Sequence, residues 1–407
     1  MIQLFINGLA ASAGGGLTYL RNIIPELERR PTVKTTILLN PGLRRDFGEL
    51  QNISFVETLH FPSALRRFLH EQITLARLVR TSGAQVLISA GNFALWNSPI
   101  PQILLSRNSL YTSADFARDV HARGDYAIGA DTLVKGWFAR QSIRRAEVTV
   151  APSEAFAREL AAWSGAKVVA VHHGFSTEAF TRDATPLPAE TQAQLSDGHD
   201  ALRLLFVSHY NYYRNFETLF RAIPVLKKGL KGKRVKLYLT CQLDSAQNPG
   251  TYRAEAALSL VRNLRAGREI VELGAIPYRC LHHLYRACHI YVTPAYAESF
   301  AHPLVEAMSS GLPVIASDLP VHREICGNAA VYFSRFSPQE LADCVRNLHD
   351  DQQLATRLSQ AGRARSRDFS WDQHVTRLLD LACGLIRRPV RPHPGNPADA
   401  RTLAVEP

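Results

Sequence analysis

Two successive α/β domains, each a parallel sheet wrapped by helices on both faces, are the fold class this sequence predicts. Short β-rich apolar runs alternate with amphipathic helical stretches in both halves, the pattern of βαβ units. At 407 residues the chain is long for one domain and comfortable for two. A polar stretch with two prolines and no apolar periodicity, Thr181–Asp200 (TRDATPLPAETQAQLSDGHD), reads as the linker between them.

In the first half Ile2–Asn7 reads as a strand and Leu17–Arg29 as an amphipathic helix. Thr35–Leu39 and Ile53–Glu57 are short strands, Gln72–Arg80 is helical, and Val86–Ser89 and Gln102–Ser106 are further strands. A long helical pattern from Asp131 to Arg145 precedes the strand Val148–Ala151. After the linker, strand Leu202–Ser208, helix Phe216–Leu226, strand Val235–Thr240, helix Thr251–Ala266 and strand Ile270–Leu273 follow in order. A last helix runs from Trp371 to Arg387, with Ser370 as its N-cap. The remainder, 388–407, is Pro-rich and reads as disordered.

Composition narrows the function classes. Hydrophobic residues make up 46% of the chain, enough for ordinary cores, and no apolar run is long enough for a transmembrane helix. The start, MIQLFINGLAASAGGG, lacks a basic n-region and reads as a first strand, not a signal peptide. Six cysteines without CxxC spacing, all in the second half, point to free thiols in a reducing cytoplasm. The net charge is +11, and arginines crowd the first half, among them Arg66, Arg67, Arg77, Arg80, Arg107, Arg140, Arg144 and Arg145. No nucleic-acid module accompanies them, so nucleic acid is set aside as a partner. Peripheral contact with an anionic membrane surface and simple compositional bias stand as equal alternatives.

The chemistry concentrates in HIYVTPAYAESFAHPLVEAMSSGLPVIASD, which reads as strand, loop, helix and strand. His289–Thr293 is the first strand, Pro303 suits a helix start, Gly311 its stop, and Pro313–Ala316 is the next buried strand. In such a βαβ unit the ligand crevice lies beyond the carboxyl ends of the strands. Glu298 falls in the loop there and Glu306 in or near the helix's first turn. Between them the free N–H groups of Ala301, His302 and Leu304 are placed to bind an anion. Two carboxylates for hydroxyls around a phosphate nest suit a nucleotide-sugar.

This Glu298-x7-Glu306 spacing, followed by Ala-Met, Gly311 and Pro-Val-Ile-Ala, resembles the retaining glycosyltransferases of family 4. The resemblance implies the GT-B fold: two Rossmann-like domains with parallel sheets facing a central cleft. Residues 1–180 would form the acceptor side, 201–370 the nucleotide-sugar side, and 371–387 a helix returning to the first domain. In the family the first glutamate contacts the donor sugar and the second the ribose hydroxyls. Those roles fall on Glu298 and Glu306, with Ser299 and Phe300 among the donor-binding positions between them.

Other positions follow from the same resemblance. Gly14, Gly15 and Gly16 match the family's first βα loop, whose backbone approaches the donor phosphates; a dinucleotide fingerprint would need glycine where Tyr19 stands. In LLFVSHYNYYRNFETLFRAI the family's phosphate-gripping Arg and Lys positions hold His209 and Arg214. Arg214 can serve as a permanent bidentate cation, while a neutral His209 offers one hydrogen bond and no charge. Asn215 would cap the following helix. Arg107 and Asn108 replace a His-Asp pair facing the sugar; Arg107 either neutralises phosphate or is a surface arginine, and Asn108 either bonds the sugar or caps a turn. His172-His173-Gly174-Phe175 resembles a hinge in which Gly174 takes an unusual backbone angle. Neighbouring histidines on a strand face opposite ways, and no Asp-x-Asp follows a strand, so neither metal nor cofactor is expected.

The implied function is transfer of a sugar, with retention, from a nucleoside-diphosphate sugar to a carbohydrate or lipid-linked acceptor. Glu298 and Arg214 are the catalytic candidates, in cytoplasmic assembly of bacterial surface polysaccharide or lipopolysaccharide. The alternative is a non-catalytic nucleotide-sugar or carbohydrate-binding protein on the same fold.

Overall fold

Leucine- and β-branched-rich runs form two parallel sheets in a computed structural model that describes residues 1–387, apart from 12–13, 59–60, 62, 231 and 247–251. The tail expected to be disordered, 388–407, lies outside the described residues. Strands β1 (Ile2–Asn7), β2 (Val33–Leu39), β3 (Ile53–Glu57), β4 (Val86–Ser89), β5 (Gln102–Leu105), β6 (Val148–Ala151) and β7 (Val168–Ala170) form the first sheet, in order β3-β2-β1-β4-β5-β6-β7. Strands β8 (Leu202–Phe206), β9 (Val235–Leu239), β10 (Ile270–Glu272), β11 (Ile290–Thr293), β12 (Val314–Ser317) and β13 (Ala330–Phe333) form the second, in order β10-β9-β8-β11-β12-β13. All pairings are parallel. Strands β4, β5, β11 and β12 are buried along their whole length, as a sheet covered on both faces requires. Strand order reverses between β1 and β4 and again between β8 and β11, so each sheet has a crevice at its carboxyl edge there.

The helices that position the site are α1 (Gly14–Glu28), α2 (Ala64–Thr81), α3 (Ala114–Ala122), α4 (Tyr126–Arg145), α5 (Glu154–Ser164), α6 (Ala189–Asp197), α7 (Phe216–Gly229), α8 (His302–Ser309), α9 (Pro320–Cys326) and α10 (Trp371–Ile386). Side-chain oxygens of Ser63, Ser113, Ser153 and Ser370 accept from the third residue of α2, α3, α5 and α10, satisfying otherwise orphaned amides. Along α10 the buried Trp371, Val375, Leu378, Ala382 and Leu385 recur at helical spacing. They fill the same core as Tyr19, Leu20, Ile23 and Ile24 of α1. The chain's last described helix is thus part of its first domain.

Two expectations need correction. The stretch read as a polar linker, 181–200, contains α6, which buries Thr191 and Leu195. Only two of its positions face inward, too few for an apolar period to show. Gly15 and Gly16 lie within the first turn of α1 and not in a loop before it.

The two domains meet through polar contacts around α3. Asp115 accepts from Arg335 Nε (2.8 Å), Asp119 from the Tyr296 hydroxyl (2.6 Å), and Glu217 from Arg123 (2.9 Å), while Asp125 takes both Tyr212 and Arg253.

Candidate functional site

Helix α8 starts from a strained residue. Ala301 has φ 68°, the left-handed region that costs an L-residue about 1–2 kcal/mol. This turn aims the chain from the loop after β11 into the helix. Among the described residues nothing accepts from the amides of Ala301 and His302, so both are available to an anion. Leu304, expected to offer a third free amide, instead donates to the Ala301 carbonyl at 3.0 Å, because that left-handed residue brings its C=O within reach. Glu306 is the fifth residue of α8, at the start of the second turn.

Arg214 and Glu298, predicted as the catalytic pair, are bonded to each other. Arg214 Nη1 donates to Glu298 Oε2, and Glu298 Oε1 accepts from the Ser299 amide (3.2 Å). The pair sits at the crevice between β8 and β11. Burial works against the carboxylate, but Arg214 foremost and then His322 hold the Glu298 pKa below the usual range. Burial likewise opposes the guanidinium, and Glu298 more than offsets it, raising the Arg214 pKa. His322, on α9, is bonded through Nδ1 to Ser317 Oγ (3.0 Å); its Nε2 is buried without a partner among the described residues, and burial lowers its pKa to about 4. His209 is exposed on the loop after β8; partial burial and then Arg214 lower its pKa, so it is neutral at pH 7.

Asn215 does not cap α7 with its side chain. At φ 56° it turns away, donating to the carbonyls of Pro294 (3.0 Å) and Arg335 (2.6 Å) and accepting from Thr218 Oγ1 (2.9 Å). It fastens the Arg214 turn to the β11 loop and holds Arg214 near Glu298.

Glu306 is buried under Tyr285, whose hydroxyl donates to Oε2 at 2.8 Å. Burial raises its pKa to about 7, against the lowering effect of hydrogen bonds from Tyr285 and Tyr278.

Across the cleft, Arg107 is no surface arginine. Its guanidinium lies 4.7 Å from the Tyr19 ring centre, Nη2 donates to the Ala90 carbonyl beyond β4, and Nη1 is buried without a partner among the described residues. A Cβ on Gly16 would come within 3.2 Å of Ala11 Cα and 3.8 Å of Arg107 Nη2, so the glycine lets α1 approach this group. Gly15 is exposed, with open space around it. Asn108 takes its turn-capping alternative, its Oδ1 accepting from the Leu110 amide at 3.0 Å.

The two sides join through rings that sequence reasoning missed. His173 Nδ1 meets His302 Nε2 at 3.1 Å, and Trp371 stacks on both. Tyr19 bonds His374 Nε2 at 3.0 Å. His172 turns the other way, to Glu324 Oε1 at 2.6 Å; both histidines lie beyond the end of β7, not on a strand as expected. Scattered single histidines carry no spacing signal, so only the fold brings them together. Gly174 has no positive φ; it is glycine because a Cβ would sit 2.1 Å from the Trp371 nitrogen. Among the described residues no group of three or more His, Cys, Asp or Glu could hold a metal ion. A cavity of about 300 Å³ opens at Glu298 between the domains, walled by Ser109, Ser113 and Arg158 on one side and Tyr296 and Pro320 on the other.

Two doubly wound domains whose crevices face each other define the GT-B fold, and solved structures agree. Sucrose-phosphate synthase from Thermosynechococcus elongatus superposes with a TM-score of 0.74 at 17% identity, covering 95% of this chain and 99% of that one. Anabaena HepE in complex with UDP-glucose gives 0.69 at 14% identity, covering 95% and 100%. Residues 189–365, most of the second domain, match the family described as glycosyl transferases group 1. A D-inositol 3-phosphate glycosyltransferase from Corynebacterium aurimucosum is 26% identical over 218 residues, 53% of this chain and 50% of that protein. The O-antigen chain mannosyltransferase B of Escherichia coli is 32% identical over 111 residues, 26% of this chain and 28% of that one. The chain spans about half the length of the curated relatives it matches first.

Proposed function

We propose that this chain is a retaining glycosyltransferase that moves a sugar from a nucleoside-diphosphate sugar to a carbohydrate or lipid-linked acceptor. One observation carries the reading: a part-buried Arg214–Glu298 pair stands at the β8–β11 crevice, on the loop that leads into the free amides opening α8 and on to Glu306. In the structure these two groups satisfy each other. A bound donor exchanges the pair, its diphosphate taking Arg214 and its sugar hydroxyls taking Glu298. The amides of Ala301 and His302 add fixed dipoles where leaving-group charge develops. Glu306 receives the ribose hydroxyls. His209, neutral, adds a hydrogen bond and no charge.

No further side chain stands as a nucleophile in this reading. The acceptor oxygen attacks the anomeric carbon on the face from which the diphosphate leaves, and the departing phosphate oxygen takes the hydroxyl proton. The reaction calls for no metal or cofactor. The O-antigen mannosyltransferase among the relatives supports a place in cytoplasmic assembly of bacterial surface polysaccharide or lipopolysaccharide.

The test is hydrolysis of a panel of nucleotide-sugars by purified protein, with the anomeric configuration of product followed by NMR. Slow hydrolysis with retention is expected. Arg214→Ala should lower turnover about a hundredfold or more, as loss of a preorganised charge-stabilising group does, and Arg214→Lys should recover much of it. Binding without any turnover would leave a non-catalytic sugar-nucleotide binder. An alanine variant as fast as the parent would move the phosphate grip away from Arg214.

A further inference from the structure

We propose that the first domain docks on an anionic lipid bilayer through the outward faces of α2 and α4, apolar side chains entering the lipid and cations meeting the headgroups. Helix α4 is built inside out. Its buried positions are Gly136, Ala139, Ser142 and Ile143, mostly small. Its outward positions carry Leu133 (76% exposed), Val134 and Trp137 (54% exposed). Folding alone would place the large apolar groups inward and the small ones at will. On α2, Leu65, Leu69 and Ile73 (78% exposed) recur every four residues, forming a stripe on a different face from the buried Phe68, Leu75 and Val79.

The two faces are neighbours. The Phe68 ring of α2 meets Phe138 of α4 edge-on at 5.1 Å, and Trp96 beneath them lies 6.1 Å from Trp137. Of the ten large hydrophobic residues exposed among the described residues, seven lie on α2 and α4, so the apolar surface is a patch and not a scatter.

Charge selects the occupant. Arg66 and Arg77 flank the α2 stripe, and Arg140, Arg144 and Arg145 follow Trp137 on α4. The acidic residues of the two helices are neutralised locally: Glu71 is buried beside Arg67, and Asp131 binds Lys135 at 2.6 Å. A second copy of this face would bring the same cations together, whereas an anionic headgroup layer satisfies them while the apolar stripe enters the acyl boundary. An indole at the rim suits the same depth. Among the described residues no helix is long and apolar enough to cross a membrane, so the contact is with the surface. This docking stands apart from the glycosyl-transfer reading and needs no turnover to be tested.

The experiment uses the full chain with vesicles of phosphatidylcholine, with and without phosphatidylglycerol. The protein should sediment with the anionic vesicles and far less with the neutral ones, and raised salt should weaken the binding. Brominated lipid should quench fluorescence, and Trp137→Phe should remove most of that quenching. The triple variant Leu69→Ser, Leu133→Ser, Trp137→Ser should lose at least about tenfold in partitioning, with an unchanged melting temperature showing that it folds. Failure to sediment with anionic vesicles would overturn the proposal, as would equal binding to neutral ones. So would a triple variant that binds like the parent, or a dimer in light scattering that this variant dissociates.

Discussion

Burial lifts the Glu306 carboxyl to about 7, so its charge changes near neutral pH. Ribose hydroxyls donate to the ionised form, so nucleotide affinity should be full above that pH. It should fall by up to about tenfold per unit as pH drops below it. Calorimetry across this range checks the slope. Glu306→Gln should flatten it and cost about tenfold or more in affinity at alkaline pH, a charged hydrogen bond being worth about 1.5–3 kcal/mol; unchanged affinity would remove Glu306 from the site. Both glutamates and Arg214 were legible because each stands at a fixed offset from a strand end or a helix start. The Arg214–Glu298 bond was not, because it joins residues 84 apart in the chain through two separate loops. Nor was the burial of Arg107, which depends on Tyr19 and Ala90 converging from α1 and the end of β4.

Among the elements, α10 and the loop bearing Gly174 are the tightest fit. Gly174→Ala would place a methyl against the Trp371 and Ser370 backbone, where no side chain can swing aside. About 1–3 kcal/mol of destabilisation is expected from such overpacking, read as a lowered denaturation midpoint with an unchanged slope. A neutral result would mean that the helix start shifts freely. Trp371→Ala should cost about 3–5 kcal/mol, as for other large aromatic truncations, and should also loosen His173 and His302, on which the indole stacks. The elements themselves were largely legible: β1, β3, β4 and β6 coincide with their apolar runs, and Ser370 caps α10. Helix α6 was not, because a short helix that hides two residues leaves little periodicity. The start of α1 was not, since glycines signal turns more strongly than first-turn positions.

For the molecule as a whole, acid should be the weakness. Burial lowers the pKa of His173 well below its ordinary value and those of His302, His322 and His374 to about 4. Between about 4 and the ordinary histidine value of about 6.5, the unfolded chain binds protons that the folded one refuses. Stability therefore rises with pH through this window and is lost as pH falls through it. Glu71 and Glu306, both raised to about 7, act in the opposite sense, losing stability as pH rises from their ordinary range to 7. His209, His282 and His289 are lowered as well and Glu159 is raised, so seven histidines stand against three carboxyls and leave a net loss on acidification. The melting temperature should fall steadily from pH 7 to pH 5; a flat or rising profile would show that the ring cluster opens to water. The sequence showed fifteen histidines but not which were buried together, so this property belongs to the assembled cleft.

Helix α10 also sets the order in which the protein can be finished. The core of the first domain includes residues 371–385, which leave the ribosome after the entire second domain. At about 5–20 residues per second, the first 180 residues wait roughly 10–40 s for the piece that covers them. During that interval the groove formed by Tyr19, Ile23 and Ile24 stands open, a hazard for premature association and a natural place for a chaperone to bind. A chain stopped after Phe369 would be caught in that interval permanently, and it should bind more of a hydrophobic dye than the 407-residue chain does.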